Sequence, residues 1–85
     1  MYNTFRKKLG KRIKQLRLQK GFTQEELSLE SGISRSHIAM IESGKRDVTV
    51  NALFKISRAL EKTMEKFFEF DNLEKYVFDV EALYR

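Results

Sequence analysis

Apolar residues recur along the first part of the chain at spacings of four, four and three: Phe5, Leu9, Ile13 and Leu16. These intervals bring side chains onto one side of an α-helix. They predict a first helix over residues 3–20, with Gly21 free to take the left-handed cap that follows. Gly10 lies inside it at about 1 kcal/mol less helix propensity than Ala. Either the helix is locally weak there or a neighbour packs close. Thr23 and Glu26 then stand at capping-box spacing, so a second helix starts there and runs to Ser31 before Gly32 turns the chain. Ser34 is the next good N-cap, and Ile38 and Ile41 share one face of a third helix that Gly44 ends.

Thr49 can cap a fourth helix whose Val50, Leu53, Ile56, Ala59 and Leu60 form a core-facing stripe. Thr63 can cap a short fifth helix through Phe67, Phe68 and Phe70. From Asp71 on, Leu73, Tyr76, Val77, Val80, Leu83 and Tyr84 repeat at threes and fours, which favours a terminal helix. The run Tyr76, Val77, Phe78 also suits a strand. The expected fold class is therefore all-α, with five helices in residues 1–70 and a C-terminal helical extension over 71–85. Its core is expected to contain Ile13, Leu16, Leu27, Ile33, Ile38, Ile41, Leu53, Ile56 and Leu60.

Eighty-five residues suit one domain, which argues against a catalytic cleft between two domains. No segment approaches the roughly 18 uninterrupted apolar residues of a membrane span, and MYNTFRKKLGKR lacks the apolar stretch of a secretory signal. A cytoplasmic location and no membrane partner are expected. There is no Cys and one His, His37, so neither a thiolate metal site nor a cysteine nucleophile is available. No metal, no cofactor and no enzyme chemistry are expected.

The net charge of +5 is unevenly placed. Residues 1–20 carry Arg6, Lys7, Lys8, Lys11, Arg12, Lys14, Arg17 and Lys20 with no acidic residue, while residues 71–85 are net acidic. Charge alone leaves two readings open, a solvated helix face or a polyanion partner.

The stretch TQEELSLESGISRSHIAMIESGKR, residues 23–46, resembles the helix-turn-helix of phage-repressor regulators of the Cro/C1 or XRE type. The resemblance rests on Thr23, Gln24, Leu27, Ser28, Gly32, Ile33, Ser34, Ile38, Ile41, Glu42, Gly44 and Lys45 in family spacing, and extends over about residues 6–68. It implies that the third helix lies in the major groove of DNA. Arg35, Ser36, His37, Ala39 and Met40 would then face bases, and Thr23, Gln24, Ser34, Lys45 and Arg46 would meet phosphates. Arg35 is the strongest candidate for base reading, since a guanidinium can bond guanine O6 and N7 together. A solvated arginine or a phosphate contact is its other reading. The same resemblance implies a partly buried ion pair between Arg17 and Glu42, which removes Arg17 from the DNA-binding count.

Three positions depart from the family pattern: Glu61 where a glycine commonly ends the fourth helix, Val48 where proline is frequent, and Leu29 where a polar residue is usual. Residues Met64, Phe67, Phe68, Phe70, Leu73, Tyr76, Val77 and Val80 offer a candidate homodimer surface, or alternatively a segment folded back on its own domain. The expected function is a transcriptional regulator acting as a homodimer on a palindromic operator, with a mild lean toward the controller proteins of restriction-modification systems. RNA polymerase or another regulator is a further partner on this reading. The rival is an interaction module in which the same helices only carry a protein-binding surface.

Overall fold

The computed structural model describes residues 2–70. They form four α-helices and one short 3₁₀ helix, with no strand among the described residues: α1 (Tyr2–Lys20), α2 (Gln24–Ser31), α3 (Arg35–Glu42), α4 (Val50–Leu60) and the 3₁₀ turn Met64–Phe68. The caps form where local chemistry places them. Thr23 Oγ1 accepts from the Glu26 amide at 3.0 Å while Glu26 Oε1 accepts from the Thr23 amide at 3.1 Å, completing the capping box. Ser34 Oγ accepts from the His37 amide at 3.2 Å, and Thr49 Oγ1 from the Ala52 amide at 3.0 Å.

All nine expected core residues are buried, joined by Leu9, Ala52 and Phe67. The helices enclose this core with α1 against α3, α2 against α3 and α4, and the 3₁₀ turn closing the end between α1 and α4. Gly10 sits where α1 crosses α3. A methyl group there would overlap the Ile41 carbonyl oxygen and stand 2.9 Å from that of Glu42, so a close neighbour is what the glycine accommodates.

Three expectations need correction. The fifth helix is only a 3₁₀ turn, and Thr63 makes no side-chain cap bond. Three residues per turn bring Met64 and Phe67 onto one side, and both pack against the core. Phe67, expected on a dimer surface, is 0% exposed and is a central core residue of its own domain. Val50, expected in the stripe of α4, is 77% exposed. At about 100° per residue it lies roughly 90° from the mean direction of the buried residues of that helix. The dimer candidates Leu73, Tyr76, Val77 and Val80, and the terminal helix itself, lie outside the described residues.

The C-terminus of α4 shows how the chain manages without a capping glycine. Glu61 adopts the left-handed conformation (φ 55°), and its amide donates to the Arg58 carbonyl. That geometry disfavours a residue with a Cβ. Its carboxylate accepts from Lys20 Nζ at 2.8 Å, which holds the Glu61 pKa below its ordinary value of 4.5, first through that hydrogen bond and then through the nearby charge. A depressed carboxylate pKa contributes stability above the unfolded value, lost as pH falls through the folded one. Glu61→Gly removes the ion pair but relieves the backbone. The variant is therefore expected to exceed the parent in stability by most at pH 3, with the difference narrowing toward pH 7, as thermal unfolding at both pH values will measure.

Candidate nucleic-acid interface

Helix α3 is anchored by one face and open on the other. Ile38, Ile41 and Glu42 are buried. Rotation of about 100° per residue then sets Ser36, Met40 and Ser43 on the outward side, with Arg35 and Ala39 along one flank and His37 on the other. Arg35, Ser36, Met40 and Ser43 are exposed, whereas His37 and Ala39 are half-buried. Ser43 escaped the sequence reading although it continues the row at i+3 from Met40. Its hydroxyl donates to the Met40 carbonyl at 3.1 Å.

The inward face is held by a buried ion pair. Arg17 Nε donates to Glu42 Oε2 at 2.7 Å and Nη2 to Oε1 at 3.0 Å, a bidentate arrangement with both residues under a tenth exposed. Arg17 Nη1 donates to the Phe22 carbonyl at 2.7 Å. Gln24 Nε2 donates to Glu42 Oε1 at 3.1 Å. One carboxylate thus ties α1, α2 and α3 together. Among the described residues no buried side-chain polar atom lacks a partner. Gln24 keeps a second amide hydrogen, and the first amides of α2, Gln24 and Glu25, have no intrahelical acceptor.

The turn after α3 brings its cations outward. Gly44 takes φ 76°, and the amides of Lys45 and Arg46 both donate to the Met40 carbonyl, at 2.9 and 3.2 Å. Lys45 and Arg46 are exposed beside it. From α1, Arg6 Nε donates to the Gly44 carbonyl at 2.9 Å and the guanidinium lies 3.5 Å from Asp47. No local pattern could disclose Arg6 as the brace of this turn, because its partner lies 38 positions away. Among the described residues no group of His, Cys, Asp and Glu could hold a metal ion, and no helix is long and apolar enough to cross a membrane.

Two short helices joined at a glycine, the second exposing a row of Ser36, Met40 and Ser43 and anchored to both the first and a preceding helix, constitute a helix-turn-helix. A helix-turn-helix family model matches residues 13–67, and the chain belongs to that family, the Cro/C1 or XRE type. It is 40% identical over 55 residues to the HTH-type transcriptional regulator y4dJ of Sinorhizobium fredii, covering 65% of this chain and 71% of that protein. Identity to the control protein C.BamHI of Bacillus amyloliquefaciens is 39% over 61 residues, covering 71% of this chain and 75% of the other. The fold matches the crystal structure of the restriction-modification controller protein C.AhdI from Aeromonas hydrophila with a TM-score of 0.75 and 34% identity, over 76% of this chain and 98% of that one.

Proposed function

We propose that this protein regulates transcription by binding a specific DNA sequence as a homodimer on a twofold-symmetric operator, with α3 in the major groove. The observation that carries this reading is the exposed row of α3, held in one orientation by the buried Arg17–Glu42 pair. Arg35 reads a guanine, Ser36 bonds a base or a phosphate, and Ala39 and Met40 meet thymine methyl groups. His37, half-buried, forms part of the groove wall. Thr23, Gln24 and Ser34 at the helix starts, with Lys45 and Arg46 after α3, bind phosphates and set the register without reading sequence.

A second copy doubles the base contacts and matches a palindrome. The dimer surface on this reading keeps Met64, Phe68 and Phe70, which are half-exposed, and gains Phe54, which is 49% exposed and borders a groove with Met64. Phe67 is withdrawn from it. Likeness to C.BamHI and C.AhdI supports a controller role, in which operator occupancy sets whether transcription rises or falls. RNA polymerase or another regulator is the further partner. The protein acts in the cytoplasm and is not an enzyme.

Arg35→Ala tests the assignment. Discrimination at one base pair per half-site is expected to fall by about 1–3 kcal/mol, with preference at the other positions kept. Competition binding against all four bases at each position measures it. An unaltered base profile would show that Arg35 is not a reader.

A further inference from the structure

The basic residues of α1 divide into two sets. Arg6, Arg12, Arg17 and Lys20 pair with Asp47, Glu69, Glu42 and Glu61 at 3.5, 3.5, 2.7 and 2.8 Å. Lys7, Lys8, Lys11 and Lys14 have no acidic group within 4.0 Å among the described residues. Glu69, which lines the same groove as Lys11, is taken up by Arg12 and by Lys66 at 3.3 Å.

Lys7, Lys11 and Lys14 are exposed. Their spacing of four and three puts them within about 60° of one another around the helix, along about 10 Å of its axis. They face away from Leu9, Ile13 and Leu16, which are buried. This row begins where the helix-turn-helix ends. Gly44 packs directly on Lys7, with the backbone Cα of that lysine 2.8 Å from where a Cβ would stand. Lys7 therefore adjoins the turn that exposes Lys45 and Arg46.

We infer that α1 provides a second strip of DNA-backbone contacts, in which Lys7, Lys11 and Lys14 bind phosphates flanking the base pairs that α3 reads. This inference rests on the DNA-binding function proposed above. Each strand of a duplex carries one charge per about 3.4 Å of the axis, so a row of about 10 Å spans about three phosphates of one backbone. Lysine suits such contacts, being a point charge on a flexible stem that needs no fixed geometry. An anionic membrane fits less well, because a helix lying on lipid needs an apolar face to insert. The apolar face of α1 is spent on the core, with Leu18 the exposed apolar residue in line with the lysines.

The test compares the full chain with the Lys7→Gln, Lys11→Gln, Lys14→Gln triple variant on a sequence selected from random DNA, with and without ten flanking base pairs. The slope of log K against log salt is expected to be shallower by about 2–3 in the variant. Between 50 and 200 mM salt its affinity then falls roughly 15-fold to 60-fold less than the parent's. Trimming the flanks is expected to weaken the parent and leave the variant nearly unaffected. An unchanged base preference shows that the variant is folded, and Lys7→Gln alone is expected to remove about one from the slope. If both proteins bind the selected site with equal slopes, the inference fails and the DNA-binding function stands. A parent that selects no sequence overturns both. Lysine-dependent capture by phosphatidylserine vesicles, with the DNA slope unchanged, marks a lipid surface and also overturns the inference.

Discussion

Glu42→Ala is expected to destabilise the fold by about 3–5 kcal/mol, the cost of leaving one charge of a buried pair without its partner. The Arg17 guanidinium would keep its bond to the Phe22 carbonyl but lose both bonds to the carboxylate, inside a site only 5% exposed. Gln24 would lose its acceptor as well. Small domains hold only about 5–15 kcal/mol in all, so a substantial unfolded population is expected near 37 °C. Urea unfolding measures the loss. The double variant Arg17→Met, Glu42→Leu is expected to recover most of it, since an apolar pair of similar volume removes both desolvation costs. A loss below about 1 kcal/mol in Glu42→Ala would mean that the pair is hydrated and does not organise α3.

Gly10→Ala sets two magnitudes against each other. Helix propensity favours alanine by about 1 kcal/mol, and in an exposed helix that gain would decide the outcome. Here the added methyl meets the Ile41 carbonyl and lies 2.9 Å from the Glu42 carbonyl. Both are backbone, with no flexible side chain to swing aside. Overpacking of this kind costs about 1–3 kcal/mol or more, and because α3 must shift as a body we expect a net loss of about 2 kcal/mol. Since α3 is the proposed reading helix, DNA affinity is expected to fall beyond what the unfolded fraction explains. Thermal unfolding and binding at saturating folded protein separate the two effects. A more stable Gly10→Ala would show that the two helices are further apart than the structure has them.

These two positions also show what a sequence can disclose. Thr23, Ser34 and Thr49 were legible as caps because capping acts within three residues, and hydrophobic spacing found Ile13, Ile38, Ile56 and their neighbours in the core. Gly10 left two explanations open, because the atoms that decide between them belong to a helix some thirty residues away. Phe67 was misplaced for a related reason. In a run of aromatics, spacing alone cannot say which ring turns inward when the segment winds as a 3₁₀ turn. Val50 fitted the interval of its stripe, but rotation carried it out of the contact. The Arg17–Glu42 pair entered through family resemblance. The bond from Gln24 to Glu42, the brace from Arg6 to Gly44 and the ion pairs that divide the α1 cations into paired and unpaired sets all join residues far apart in sequence, beyond the reach of local spacing.

The proposed function depends most on α3 reading DNA sequence in two symmetric copies. Selecting bound duplexes from a random pool with the purified full chain tests that directly. Enrichment of a twofold-symmetric consensus is expected, with half-sites about one helical turn apart, roughly 34–36 Å, and a guanine in each half whose preference Arg35→Ala weakens. A pool that stays random at moderate salt, where non-specific binding has already weakened, would contradict it.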